Sequence, residues 1–566
     1  RHNRASHGSA GRRAGAAVVT VAALTAVALP FMLRNRTPAP AATAPAAAPL
    51  QAASITPRRA VAVLGFRNLS ARAEQAWLSP AFAELLTTEL SAAGELRLVP
   101  GEEVERMRGD LPIGNGDPIA RPLLEQIRHR AGADVVLTGA YVALSPDDAA
   151  PLRLDVRLQD TASGRLLATL SESGTERELF ELISRLGSRL REQLGAVPLT
   201  AEATAGLRAS MPANPEAARA YVEGLTQLRR ADPLGARASL ERAVAAEPSY
   251  PMAHAALAES LWDLGYEARA TEAAERALAL SSRLGREERL SIEARANVFH
   301  RRFDKAIEIY RSLLTFYPDE ITYGLRLATV QVSAAKAKDA IATLDKLRAL
   351  PKPLRDDPMI DIIAADAYHV THENDKGLAA AQRAEAIGAA TNMRSIVARA
   401  KANQSYAHRD LGQPNQAVAL LEDAARIYEE IGDRGAAARA YSNLGLALWN
   451  RGDLAAAEPL LERALVMHRQ IGTRSFESRT LNNLGIIRFS RGNMDGAEEA
   501  WRAALIVQRE SNFIAPMAST LTNLGGVRQV RGDLAGAARF YGEAIEVSRR
   551  TDDRATEMTG TINMAE

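Results

Sequence analysis

Five asparagines recur at intervals of forty residues, and their side chains could supply a binding chemistry. A carboxamide offers both donors and an acceptor, which match the amide and carbonyl groups of a peptide backbone without demanding one side-chain sequence. The alternative is structural, with each amide bonded to a neighbouring helix and setting how the repeats stack. Both interpretations stay open for the candidate set of peptide-binding residues, Asn403, Asn443, Asn483, Asn523, Asn563 and Asn450.

A second motif, HRDLGQPN at 408–415, matches the catalytic-loop pattern of protein kinases. Alone, it would make Asp410 a catalytic base and Asn415 a metal ligand. A kinase also needs an upstream glycine-rich loop, a strand lysine and a downstream Asp-Phe-Gly, and this sequence contains no Asp-Phe-Gly. The motif also aligns with an ordinary inter-helix turn forty residues later. We therefore assign no catalytic residue to it.

Composition narrows the remaining function classes. The 566 residues contain no cysteine, which excludes disulfides, thiolate metal sites and cysteine nucleophiles. The net charge is +2, so a concentrated basic face for nucleic acid is not expected. His369 and His372 lie close together, but their spacing fits no common ligand pattern. We expect no metal site, no cofactor, no nucleic-acid partner and no enzymatic activity in these residues.

The forty-residue period predicts stacked helical hairpins. In the unit 436–475, Leu444 and Leu448 belong to an apolar stripe with helical spacing. Gly452 is expected to end the first helix in a left-handed turn, and Asp453 to cap the second. Since one hairpin cannot cover its own apolar face, the array is stable only as a stack.

Upstream of the repeats, residues 58–195 alternate between short apolar runs and amphipathic stretches, which predicts a small α/β layer. Strands are expected at 59–66, 96–99, 134–138, 152–158 and 166–170, and helices at 82–90, 123–131 and 180–194.

This α/β stretch resembles the TolB-like domain that accompanies helical repeats in bacterial signalling proteins. The matching segments are VAVLGFRNLS (61–70), WLSPAFAELLTTEL (77–90), GADVVLTGAY (132–141) and LRLDVRLQDTASGRLLA (152–168). Gly65 stands where that family commonly has proline. The resemblance implies a non-catalytic accessory domain and names no ligand.

The helical array resembles tetratricopeptide repeats, as in ALAESLWDLGYEARATEAAERALAL (256–280). The longer units are similar to kinesin light chain repeats, most clearly at LNNLGIIRFSRGNMDGAEEAWRAAL (481–505). In tetratricopeptide proteins the first helix of each hairpin lines a concave groove. The resemblance therefore places the repeated asparagines near an extended peptide bound in that groove.

One segment suggests a membrane. Residues 14–33 hold twenty residues without a charge, which is long enough for a helix to span a bilayer. More arginines precede this segment than follow it, which favours a cytoplasmic amino side. A cleaved secretory signal is the alternative. The Ala/Pro-rich stretch after it is typical of an extended linker.

The predicted fold class is mainly α: a tetratricopeptide α-solenoid preceded by a small α/β domain and one transmembrane helix. The domains are 1–13 cytoplasmic flank, 14–33 transmembrane helix, 34–57 linker, 58–195 TolB-like α/β domain, 210–350 repeats of about 34 residues, 351–394 irregular repeats or hinge, and 395–566 repeats of 40 residues.

The predicted function is a non-catalytic, membrane-anchored interaction scaffold or sensor region. Its architecture resembles the part downstream of the catalytic domain in bacterial receptor-type serine/threonine kinases. The predicted location is a single-pass inner-membrane protein with extracytoplasmic repeats, and the predicted partners are a peptide or protein and the lipid bilayer. The alternatives are the same region of a winged-helix regulator or nucleotide cyclase, and a stand-alone periplasmic scaffold.

Overall fold

The computed structural model describes residues 57–70, 73–92, 94–113, 119–143, 151–551 and 553–565. Its first part is an α/β domain in which helices alternate with strands. The strands are β1 Arg59–Asn68, β2 Leu96–Leu98, β3 Val135–Ala143, β4 Leu152–Asp160 and β5 Leu166–Gly174. The helices are α1 Leu78–Ser91, α2 Gly101–Asp110, α3 Arg121–Ala131 and α4 Leu179–Leu194, and α5 Ala201–Ser210 connects this domain to the repeats.

The five strands form one sheet in the order β2-β1-β3-β4-β5. β1 pairs in parallel with β2 and β3, while β4 is antiparallel to both β3 and β5. Both faces of β1 are covered: Val61 and Val63 pack towards α1 and α4, and Ala62 and Leu64 pack towards α2 and α3. This three-layer arrangement explains why β1 is a nearly continuous apolar run.

The strands and helices predicted for this domain are confirmed in place and type. Helix α2 was not predicted because its ten residues, GEEVERMRGD, contain only Val104 and Met107 as buried side chains. Two apolar residues three apart do not make a periodic pattern. Its helical form depends on the packing of those two side chains against β1.

Helical hairpins occupy the rest of the described chain. The first helix of each hairpin is called its A helix and the second its B helix. The hairpins are α6 Pro215–Arg229 with α7 Pro233–Ala246, α8 Pro251–Leu264 with α9 Glu267–Leu280, α10 Arg286–Phe299 with α11 Phe303–Phe316, α12 Ile321–Ser333 with α13 Ala337–Arg348, α14 Pro358–Val370 with α15 Asn374–Ala390, α16 Arg394–Asp410 with α17 Pro414–Glu430, α18 Arg434–Arg451 with α19 Leu454–Ile471, α20 Arg474–Ser490 with α21 Met494–Glu510, and α22 Met517–Val530 with α23 Leu534–Thr551; the A helix α24 Arg554–Ala565 follows.

The change from shorter to longer repeats is a change in helix length. Helices α8 and α9 have 14 residues each, whereas α18 and α19 have 18. Four residues add about one turn, or roughly 6 Å, to each helix. The predicted boundary between α18 and α19 is confirmed: Gly452 is left-handed with φ 90°, and Asp453 accepts a hydrogen bond from the backbone N–H of Ala456.

The array curves so that the A helices lie on its inner side. Successive A helices contact one another, as in α12 with α14, α14 with α16, and α18 with α20, more extensively than successive B helices do. The curvature brings distant turns together: a Cβ added to Gly265 would lie 2.8 Å from the backbone nitrogen of Ser475. Gly265 also has φ 86°, so a side chain there would be strained as well as crowded.

The prediction of a membrane-spanning helix needs correction. Residues 14–33 lie outside the described residues, and none of the described helices is both long and apolar enough to cross a membrane. The 18-residue α19, for example, carries Glu458, Glu462 and Arg463, and charges are costly in hydrocarbon. The described residues form a mainly helical repeat solenoid with a small five-stranded sheet. The predicted inner-membrane location with extracytoplasmic repeats is likewise not supported.

Residues 351–394, predicted to be irregular repeats or a hinge, contain the hairpin α14–α15. Its A helix is packed into one apolar cluster with the preceding hairpin through Leu344, Ile360 and Ile363. The boundaries proposed for the separate domains stay predictions.

Candidate binding groove

The inner wall of the later repeats is built by α16, α18, α20 and α22. These A helices carry four of the repeated asparagines at equivalent positions, close to the middle of each helix. Asn403 and Asn443 are half-buried, whereas Asn483 and Asn523 are each 7% exposed. The sequence repeat thus becomes a row of amides along one wall.

Three of these amides form hydrogen bonds to the preceding repeat. The Nδ2 group of Asn403 donates to Asp366 Oδ1 at 2.9 Å, and that of Asn443 donates to the hydroxyl of Tyr406 at 2.8 Å. Asn523 donates to Asn482 Oδ1 at 3.2 Å. These bonds are contacts of the kind that a structural ladder would make. The peptide-binding role of these residues stays a prediction.

The other candidate asparagines differ from these three. Asn483 follows a repeat in which the position of Asp366 and Tyr406 is taken by Leu446, and a leucine side chain cannot accept a hydrogen bond. Asn563 lies on α24 and is half-buried. Asn450 is exposed near the end of α18. The structure therefore brings four candidates into one row on α16, α18, α20 and α22, places Asn563 on the next A helix, α24, and leaves Asn450 outside the row.

A row of arginines runs beside the amides and was not identified from the sequence. Arg399, Arg439 and Arg479 each precede a repeated asparagine by four residues, which is one helical turn on the same face. Arg399 pairs with Asp366 at 3.5 Å. The sequence does contain a pattern that could have revealed this row, because these arginines have the same forty-residue spacing as the asparagines.

An aromatic pair lies beside two of these arginines. The guanidinium carbons of Arg439 and Arg479 are each 5.4 Å from the centre of the Phe476 ring. That ring stacks on His468 with an interplanar angle of 14°. Burial, together with the charges of Arg439 and Arg479, lowers the pKa of His468 to about 3, so this imidazole is neutral near pH 7.

The inner wall of the earlier repeats faces the α/β domain. Arg58 binds Asp319, at the turn between α11 and α12, through its backbone N–H at 2.9 Å and its guanidinium at 2.9 Å. Arg229 of α6 pairs with Glu84 of α1 at 2.6 Å. Asn392 Nδ2 donates to the carbonyl of Asp110 at 2.9 Å. The α/β domain thus occupies the concave side of these repeats.

A cavity of about 810 Å³ separates the α/β domain from the inner wall. Its walls are charged on both sides, with Glu102 and Arg106 from α2 and Asp263, Arg295 and Arg399 from A helices. Burial raises the pKa of Asp263 to about 6, although Arg439 opposes that shift. Burial and the neighbouring Arg326 lower the pKa of Arg295 to about 10. In both residues, burial restricts the hydration of the charged side chain and so disfavours the ionised form.

The kinase-like motif occupies an inter-helix turn, as expected from the repeat alignment. Asp410 ends α16 and contacts Arg409 at 2.8 Å and His369 at 3.2 Å. Burial opposes ionisation of Asp410, but the hydrogen bond from His369 and the charge of Arg409 lower its pKa. Asn415 lies in the first turn of α17. Among the described residues, no group of three or more His, Cys, Asp or Glu could hold a metal ion.

Comparisons with known proteins identify the repeats. Tetratricopeptide repeat family models match residues 221–284 and 396–470. Neither match covers the α/β domain, so its TolB-like character stays a prediction. None of the curated proteins compared with the chain matches it.

Solved structures with related helical stacking include the apo form of RapI, at 14% identity over 47% of this chain and 98% of that chain, with a TM-score of 0.38. A Rap protein complexed with Competence and Sporulation Factor matches at 13% identity over 56% and 96% of the two chains, with a TM-score of 0.35. A Podosopora anserina putative kinesin light chain with nearly identical TPR-like repeats matches at 18% identity over 35% and 98%, with a TM-score of 0.30.

The two family matches and the stacked hairpins agree with each other. Tetratricopeptide solenoids present extended surfaces to other polypeptides. The chain contains tetratricopeptide repeats arranged as a helical solenoid, an architecture that implies a scaffold for protein–protein interaction.

Proposed function

We propose that this chain is a non-catalytic scaffold that binds an extended segment of a partner protein along the inner wall formed by α16, α18 and α20. The observation that carries the proposal is the difference between the two halves of the solenoid. The earlier A helices face the α/β domain through contacts such as Arg58–Asp319 and Arg229–Glu84. The later A helices carry a row of amide and guanidinium groups, and among the described residues no ion pair joins that row to the α/β domain.

The chemistry of the later wall suits a peptide in an extended conformation. Hydrogen-bonding and charged groups recur on successive A helices, and the distance between neighbouring A helices is roughly 10 Å. An extended peptide advances about 3.3 Å per residue, so each repeat would meet about three residues. A partner of nine or ten residues would therefore span the three helices.

The α/β domain is proposed to be an accessory domain that fixes the curvature of the early repeats. This role rests on its contacts with α6, the α11–α12 turn and Asn392. Its similarity to TolB-like domains supports a signalling context. In that context the chain would be the interaction region of a larger protein, such as a bacterial serine/threonine kinase.

A peptide array with the full chain tests the proposal. The array would contain extended ten-residue peptides that vary in charge and apolar content, and binding would be followed by hydrogen–deuterium exchange of the complex. We expect protection to increase in α16, α18 and α20 and to change little in α17, α19 and α21. Absence of binding across the array, or protection confined to the B helices, would contradict the proposal.

A further inference from the structure

We propose that the partner segment is acidic and that its carboxylates are held by Arg439 and Arg479 on the inner wall. This inference rests on the proposed function and adds the chemical class of the partner. It follows from how these two arginines differ from the other arginines of the same repeats.

Regular spacing alone does not distinguish a binding arginine from a structural one. Arg394, Arg434 and Arg474 are also forty residues apart, and each bonds within its own hairpin, to Glu430, Gln470 and Glu510 respectively. Their guanidinium groups connect the start of the A helix to the end of the B helix in the same hairpin. This second set therefore has a structural explanation that needs no ligand.

Arg439 and Arg479 lack such partners. Within the parts of the chain that the structure describes, neither guanidinium has a carboxylate at ion-pair distance, and each instead lies against the ring of Phe476. Arg439 is exposed and Arg479 is half-buried. Arg399, the third member of the row, already pairs with Asp366. Within this row, and among the described residues, the arginines without a carboxylate partner therefore lie in two neighbouring repeats.

The spacing of the two guanidiniums fits carboxylates on an extended peptide. Both lie 5.4 Å from the same ring centre, so they are separated by no more than about 11 Å. Residues two apart in an extended chain are about 7 Å apart, and residues three apart are about 10 Å apart. Two acidic side chains two positions apart point to the same side of an extended peptide and can each reach one guanidinium.

The surroundings favour an anion rather than a neutral ligand. Burial lowers the pKa of the Arg479 guanidinium, and the charge of Arg439 lowers it further, although Tyr406 opposes the shift. His468 stays neutral, is 1% exposed and has no hydrogen-bond partner at Nε2. Asp263 on the A helix α8 interacts electrostatically with Arg439, but among the described residues no ion pair joins them. A bound carboxylate would relieve the repulsion between the two arginines.

Fluorescence anisotropy with the full chain tests this inference. The probes are a fluorescein-labelled ten-residue peptide with alternating Asp and Ala, and a matched peptide with Asn in place of each Asp. We expect the Asp peptide to bind at least tenfold more tightly than the Asn peptide. We also expect its affinity to fall as salt increases.

The variant Arg439→Gln plus Arg479→Gln should weaken binding of the Asp peptide at least tenfold. The matched control is Arg426→Gln plus Arg502→Gln, which removes the same charge from exposed B-helix residues paired with Asp423 and Glu498. This control should change the affinity less than twofold. Arg439→Lys plus Arg479→Lys should retain most of the preference for the Asp peptide, which separates loss of charge from loss of folding.

Equal binding of the two peptides, or unchanged affinity in the double Gln variant, would overturn the inference. If both peptides bind equally and protect the A helices, the scaffold function stands and only the acidic preference fails. If neither these peptides nor any member of the array binds, the proposed function fails with it.

Discussion

Asn443 donates its side-chain amide to the hydroxyl of Tyr406 at 2.8 Å, and so joins two repeats across 37 positions of the sequence. Asn403 forms the equivalent bond with Asp366, also 37 residues earlier. Burial raises the pKa of Tyr406, and the nearby Asp366 raises it further. The phenol is therefore protonated near neutral pH. An amide row that bonds across repeats can set their stacking angle whether or not it also contacts a ligand.

Replacing this amide should separate a role in packing the repeats from a role in binding a peptide. Asn443→Ala plus Asn483→Ala removes one inter-repeat bond and leaves the Tyr406 hydroxyl without that donor. We expect a stability loss of about 1–2 kcal/mol, seen as a lower melting temperature. Asn450→Ala, on the same helix but exposed, is the control and should change stability by less than about 0.5 kcal/mol. Reduced peptide affinity without a lower melting temperature would contradict a purely structural role.

Close helix crossing should make Gly485 intolerant of a side chain. A Cβ at this position would lie 2.5 Å from Nε1 of the buried Trp501. We expect Gly485→Ala to destabilise the array by roughly 1–3 kcal/mol through overpacking, measured by urea unfolding.

The matched control for this crossing is Gly435→Ala. Its added Cβ would meet nothing closer than Arg439 Nη1 at 3.6 Å, and alanine favours helix. This variant should be neutral or slightly stabilising. Similar losses in both variants would show that the crossing distance is not the cause.

The buried ion pair between α1 and α4 should be important for the stability of the α/β domain. Arg191 contacts Glu89 at 2.6 Å, with side chains 7% and 1% exposed. Arg191→Ala leaves a buried carboxylate without its partner, and we expect a loss of about 3–5 kcal/mol in the unfolding transition of this domain. Arg185→Ala, which breaks a half-exposed pair with Glu172, should cost less than about 1 kcal/mol. Equal effects would contradict this assignment.

Acid should weaken the contact between the α/β domain and the early repeats. Burial alone would raise the pKa of Asp319, but hydrogen bonds and charge from Arg58 outweigh burial and lower it. The stabilisation is therefore fully present above the unfolded aspartate pKa of about 3.9, and it is lost as pH falls through the lower folded value.

Hydrogen exchange around the α11–α12 turn measures this effect. We expect Asp319→Asn to raise exchange at this turn and in β2 at pH 7, with a loss of roughly 2 kcal/mol, and to remove the acid-induced change. Asp304→Asn, at the exposed pair with Lys336, is the control and should leave exchange unchanged. A persistent acid transition in Asp319→Asn would assign the effect to another group.

Local patterns in the sequence predicted most of the secondary structure. Apolar residues at helical spacing, with Gly452 and Asp453 at a helix junction, were enough to place α18 and α19, because capping and amphipathicity act within one or two turns. The buried run at Val61–Leu64 predicted β1 for a similar reason. The membrane helix in the predicted fold class is the part that needs correction: it rested on the uncharged run 14–33 and its flanking arginines, which lie outside the described residues, and none of the described helices could span a membrane.

The amino-acid sequence by itself determined the repeat unit, its period and the rows of asparagine and arginine, since each depends on residues close in the chain or at a fixed interval. Only the tertiary structure decided which rows already have partners, that the α/β domain sits against the early inner wall, and that Gly265 meets Ser475. The physical reason is that a small rotation between successive hairpins accumulates over the array. The contact between Gly265 and Ser475 arises from that sum, whereas Arg58–Asp319 arises because the α/β domain packs against the array; neither contact leaves a periodic trace in the sequence.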